Sequence, residues 1–343
     1  MLKTSSVSSE LFHSFIILKV SRLGKIIVQI PSIKDNDYGY HYLIKLSEYI
    51  IKNPNNFFYL DFKQCSIIEQ NAITIIGGLC NYINSNHSRT PKSILNISSY
   101  LIPERGIGFQ VDTISKPVLD TLIETGFMYY IEKNSSIPIN NGHIGYFEHD
   151  IIPDDNELTD YLSNVWLSEE KLNIDSNLKN LIISKLVEIF TNAYGHGLNK
   201  NPFDLKVISC GQYRTKSKQL ALSVLDLGGG IIERVTSVSQ PELKPSEAMK
   251  WALLKGNSTR TDSSSDLPRG LGFDILKEFV YINCGEIRIY SNNCLAKLNP
   301  SDSKYHVTQT DVNFPGTLVN IIINCDNKKY SFTPKRDHIE AYF

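Results

Sequence analysis

Leu186-Val187-Glu188-Ile189-Phe190-Thr191-Asn192-Ala193-Tyr194-Gly195-His196-Gly197 is the stretch on which the fold turns. Over 176–196, Leu178, Ile182, Leu186, Ile189 and Ala193 recur at intervals of three and four, which predicts a helix with one buried stripe. Lys185, Glu188, Asn192 and His196 fall on an adjacent polar stripe, so Glu188 and Asn192 point the same way one turn apart. A carboxamide oxygen is a hard ligand for Mg²⁺, and a carboxylate orients or deprotonates a water. An isolated ExxxN is ordinarily a solvated polar face. The glycines downstream reverse that preference.

Two further elements follow in order, Asp226-Leu227-Gly228-Gly229-Gly230 and Arg269-Gly270-Leu271-Gly272-Phe273. Ala221 to Leu225 reads as a buried strand, so Asp226 stands at a strand end with three glycines behind it. A carboxylate there is able to accept a hydrogen bond from an adenine amino group, and glycines admit backbone where a Cβ would collide. Taken alone, the same residues read equally well as a plain strand-to-loop turn. The third element heads an apolar-periodic segment, 272–280, expected to be a helix whose free N-terminal amides and dipole suit phosphate oxygens. Between the two lie Lys255 to Arg260 and the polar run 261–266, a composition fitted to a mobile cover.

In order and chemistry these elements resemble the GHKL superfamily of ATP-binding domains, over roughly 155–326. Glu188 and Asn192 match its N box, Asp226 with Gly228 and Gly230 its first glycine box, and Gly270 with Gly272 its second. Pro315-Gly316-Thr317, before a strand at 318–324, is similar to its last glycine-threonine element. The resemblance implies ATP and Mg²⁺ as cofactors, Asn192 as metal ligand, Asp226 holding the adenine amino group, and the amides of Gly270, Leu271 and Gly272 on phosphates. It also puts Glu188 in the place of a general base. Gly256-Asn257-Ser258-Thr259-Arg260 resembles the lid of members with a GxST(K/R) sequence, which would put Ser258, Thr259 and Arg260 near the terminal phosphate. His196 occupies a position shared with anti-sigma kinases, where packing is as good an account as chemistry. The fold implied is a Bergerat-type α/β two-layer sandwich, with the cofactor across one face of a mixed sheet and helices on the other.

The N-terminal half predicts strands at 25–30, Phe57–Asp61 and 93–98, and helices at 39–52, 69–83 and Lys116–Glu124. Alternation of this kind argues for an open sheet with helices packed on it. Phe57 to Ile68, with Glu69 to Leu79 after it, resembles the core of STAS domains, the fold of anti-sigma-factor antagonists. Where those antagonists carry a phosphorylatable serine, this chain has Glu69-Gln70-Asn71-Ala72, with Ser66 and Thr74 as the nearest hydroxyls. A docking or sensing module is therefore expected rather than a phosphorylation switch. The fold class expected overall is α+β in two domains, a STAS-like unit over 1–145 and an ATP-binding unit over 146–326. A linker at 134–157 separates them, and a polar tail at 327–343 is either a docking peptide or a frayed end.

A chain of 343 residues is long enough for two cores. The formal charge of −1 and the lack of a dense Lys/Arg run give no general attraction to nucleic acid or anionic membrane. Residues 11–20 are interrupted by His13, Ser14 and Lys19, which leaves neither a signal peptide nor a span of about 20 apolar residues. Six dispersed cysteines without a CxxC argue against a zinc site or disulfide framework, and make a reducing cytoplasm the simplest location. Three functions are compatible with these features. One is an ATP-dependent switch with slow hydrolysis, signalling through lid closure to a protein partner or a second copy. The others are an anti-sigma-type serine/threonine kinase and a nucleotide-sensing adaptor that never turns over ATP.

Overall fold

In the computed structural model of the protein, the described residues are 18–20, 25–85, 106–131, 144–149, 155–198, 205–254, 257, 272–331, 333–334 and 341–342. They form a mixed α/β architecture with one largely parallel and one antiparallel sheet. The first sheet has the order β1-β2-β3-β4, with β1 Leu18–Val20, β2 Ile26–Gln29, β3 Phe57–Asp61 and β4 Gly106–Phe109. β2, β3 and β4 run parallel and β1 is an antiparallel edge. The crossovers are α1 Asp37–Lys52 and α2 Gln70–Ser85. The strand expected at 93–98 lies outside the described residues. α3 Lys116–Glu124 has the expected bounds and is followed by α4 Phe127–Ile131.

α1 starts where the Asn36 side chain accepts the Gly39 N–H at 2.9 Å, an N-cap that satisfies one of the helix's orphan donors. α2 has no solvent face over most of its length, since every residue from Gln70 to Asn81 is buried. A helix buried all round must lie between two layers. α2 packs on the second sheet at β6 Val207–Arg214 and β7 Gln219–Asp226 as well as on its own sheet, and α1 packs on β9 Tyr305–Asn324. Gly77 and Gly78 make the approach possible, because a Cβ on either would run into the Tyr146 ring or the Leu225 side chain.

The second sheet is antiparallel throughout, in the order β5-β6-β7-β9-β8, with β5 Tyr146–His149 and β8 Glu286–Leu298. This corrects the mixed sheet expected from the resemblance. β5 also falls within 134–157, so that span is not wholly linker. Both faces of the sheet are covered, and a two-layer description fits its C-terminal elements only when taken without α1 and α2. Side chains alternate along a strand, and Leu225, Ser223, Asn320, Arg288 and Tyr290 face α1 and α2. Tyr290 stacks on Tyr40 at 4.9 Å, and Gln70 donates to Asn320 at 3.2 Å.

The opposite face meets Tyr161–Trp166, α6 Ser176–Asn192, α7 Gly230–Val238 and α9 Gly272–Ile282. The Trp166 indole donates to the Ala221 carbonyl at 3.0 Å, and the Phe190 ring meets His149 edge-on. α5 Asp155–Asp160 precedes these elements, α8 Pro245–Ala252 packs on β8 and β9, and β10 Thr333–Pro334 pairs with β11 Ala341–Tyr342. One contiguous cluster of buried side chains runs from β2 through α1 and α2 to the helices beyond the second sheet. No helix among the described residues is long and apolar enough to cross a membrane.

Candidate functional site

The site is built around the end of β7, a central strand buried from Leu220 to Asp226. Asp226 is its last residue, only 4% exposed, on the face that carries α6, α7 and α9. Burial pushes its carboxyl up to about 7. Donors oppose that rise without cancelling it: the Gly228 N–H donates to Oδ1 at 3.1 Å, and the Thr317 hydroxyl and backbone N–H lie against the same carboxylate. Thr317 is the register partner of Asp226 across β7 and β9. Gly316, at φ +96°, brings it there, because a Cβ would overlap the Asp226 carbonyl oxygen and the Leu227 Cα.

α6 is capped by Asp175, which accepts the Leu178 N–H at 2.9 Å, and buries Leu178, Ile182, Ile183, Leu186, Ile189 and Phe190. The α-helix ends at Asn192, and a π-helical turn, Ala193–Leu198, replaces the last turn expected over 193–196. That turn packs against β7, β9 and α7, so the α6 terminus comes to the end of the sheet where Asp226 stands. Asn192 is half-buried. Glu188, one turn earlier, is also half-buried and lies 3.5 Å from the Lys185 ammonium. The His196 side chain is outside the described residues.

The first glycine box also has a structural role within the fold. Gly230 opens α7 at φ +80°, and a Cβ would collide with Asn292 Oδ1 and the Ser291 hydroxyl. The first α7 amides are taken by those two side chains. Ile231 N–H donates to Ser291 Oγ at 2.7 Å and Ile232 N–H to Asn292 Oδ1 at 3.1 Å. α9, the helix expected behind the second glycine box, begins at Gly272. Ser258, Thr259, Arg260, Gly270 and Leu271 lie outside the described residues.

The structure therefore gathers Asp226, Gly228, Gly230 and Thr317 into one cluster and carries the α6 terminus to it. Sequence reasoning missed Ser291 and Asn292. Their signal was a polar triplet, Ser291-Asn292-Asn293, breaking the alternation of a long strand. On this structure's own observations the cluster offers a buried carboxyl steadied by the Gly228 and Thr317 donors, beside a turn at Gly316 that a Cβ would obstruct. No protein-family model matches the chain, and no curated protein matches it.

Proposed function

We propose that the protein is an ATP-binding regulatory switch of the GHKL type. Its N-terminal STAS-like half, 1–145, docks on a Bergerat-type ATP domain spanning 146–326, and it acts in the cytoplasm on a protein partner or a second copy. The observation that carries this reading is the buried Asp226 carboxyl, held at a strand end by Thr317 and the Gly228 amide beside a backbone that tolerates no Cβ at Gly316. Asp226 would accept the adenine amino group, Thr317 would steady that acceptor, and Asn192 would hold Mg²⁺ through its amide oxygen. Bound Mg-ATP supplies the transferable terminal phosphoryl group. The chain's own part is to bind the base, keep water from the buried end of the pocket, and receive a proton from an attacking water at the Glu188 carboxylate.

The N-terminal half supports a switch over a kinase acting on its own STAS-like unit. The position where antagonists carry their phospho-acceptor, Glu69-Gln70-Asn71, is docked on the face of the sheet opposite Asp226. Transfer to a separate partner's hydroxyl is the alternative that the assay separates. Phosphate release from Mg-ATP is measured for the wild type and Glu188→Ala, with nucleotide binding measured in both. The expected result is retained binding and a loss of turnover of about 10²-fold or more. Unchanged turnover in the variant removes Glu188 from the mechanism, and failure of the wild type to bind nucleotide removes the proposal.

A further inference from the structure

We infer that Ser291 and Asn292, on the bulge of β8, are the positioning residues that set the geometry of the Asp226 pocket and so its selectivity for an amino-bearing base. The inference rests on the nucleotide reading of that pocket. β8 and β9 lose register at Ser291/Asn292 and again before Cys294, and Asn292 is left at φ +51°, a conformation that is uncommon for residues other than glycine and that asparagine tolerates best. The bulge aims two neighbouring side chains into the gap between the loops that flank Asp226.

Each side chain ties down both donors and acceptors. The Ser291 hydroxyl accepts the Ile231 N–H at 2.7 Å, donates to the Gly316 carbonyl at 2.8 Å and lies 3.2 Å from the Thr317 hydroxyl. Asn292 accepts the Ile232 N–H at 3.1 Å through Oδ1 and donates through Nδ2 to the Gly229 carbonyl at 3.0 Å. One bulge thus joins the Gly229-Gly230 loop, which leads out of Asp226, to the Gly316-Thr317 turn, which holds its carboxylate. Ser291 is fully buried, so no water stands in for it. Neither residue needs to touch the ligand. They fix where Asp226 and Thr317 can be.

The test compares ATP with inosine triphosphate, which carries an oxo group where ATP has the amino group. Binding is measured for the wild type, Ser291→Ala, Ser291→Thr and Asn292→Gly. The glycine variant keeps the positive φ accessible and removes only the side chain, so loss of folding does not confuse the result. The expected wild-type preference for ATP is about tenfold or more, the worth of one hydrogen bond to a charged acceptor. Ser291→Ala and Asn292→Gly are expected to bring the ratio close to one, with Ser291→Thr near the wild type. A merely structural role would weaken both nucleotides in parallel, and an unchanged ratio in both variants overturns the inference. If the wild type binds neither nucleotide, the nucleotide reading fails by itself. The positioning claim is then decided by the pH dependence of unfolding between pH 4.5 and 8, which Asn292→Gly flattens if the bulge keeps Asp226 buried and leaves unaltered if it does not.

Discussion

Replacing Asp226 by Asn should make the protein relatively more stable as pH rises, the opposite of what removal of a paired carboxylate does. The ordinary value of this carboxyl is 3.8 and the folded one is about 7, with burial as the main cause. Between those two values the native state keeps a proton that the unfolded chain gives up, so wild-type stability falls as pH rises through that window. Below 3.8 the group is neutral in both states and costs nothing, and above 7 the penalty is complete and constant. About three pH units at 1.36 kcal/mol each give roughly 4 kcal/mol as the upper bound on the total. Asparagine is neutral at every pH and still accepts the Gly228 N–H, but it brings an amide donor that needs its own acceptor. At pH 4.5 the two proteins should therefore lie within about 1 kcal/mol of each other. By pH 8 the variant should have gained 2–4 kcal/mol relative to the wild type, an order-of-magnitude range from the same linkage. Urea unfolding at half-unit steps from pH 4.5 to 8.5 measures the difference directly. A difference that stays flat across that range, or that moves against the variant, would refute the burial argument.

The same carboxyl predicts proton release on nucleotide binding. A donor on Asp226 favours the charged form, and at pH 6 close to one proton should leave per ATP bound, read from calorimetry in buffers of different ionisation enthalpy. Gly316→Ala combines a disfavoured φ of +96° with an overlap against the Asp226 carbonyl, and should cost about 2–4 kcal/mol in denaturant unfolding, an estimate from overpacking and backbone strain together. Arg214→Ala should cost about 3–5 kcal/mol, because it leaves the fully buried Asp35 carboxylate without the guanidinium 2.8 Å away. Replacing both Arg214 and Asp35 with apolar residues should recover part of that loss.

Much of the architecture could be read from periodicity. α3 and β3 have the expected limits, and α1, α2 and α9 depart from theirs by at most two residues. Strands β1, β4, β5, β6 and β8 were not foreseen, and only the last third of β9 was. β6 and β7 are buried on both faces, so alternation gives no signal, whereas β9 begins as an exposed hairpin arm of mixed polar residues whose length no local rule marks. The glycines of the site were visible because backbone needs them. What they need was not visible: Gly230 makes room for Ser291 and Asn292, about sixty residues further along the chain. A close approach between distant segments leaves a glycine at one end and unremarkable polar residues at the other. Only the first half is legible.

The least legible feature was the packing of α1 and α2 on the second sheet, and it bears most on the proposed switch. β7 carries Asp226 on one face and Ser223 on the other, and β9 likewise carries Thr317 and Asn320. Ser223 donates to Asn320 at 2.7 Å, and Asn320 is bound in turn by Gln70 and Asp35, with Arg214 bridging Asp35, Gln70 and Glu69. A wholly apolar contact would tolerate sliding of α2 over the sheet. A buried ionic network does not, because any shift strands a charge at a cost of several kcal/mol. The residues proposed to hold the base and the seat of α2 therefore share two rigid strands, three residues apart on each. Any rearrangement that draws Asp226 and Thr317 together must either leave the backbone of those strands in place or move the N-terminal half with it. Alternating side chains on a strand give such a fold its coupling without a dedicated hinge.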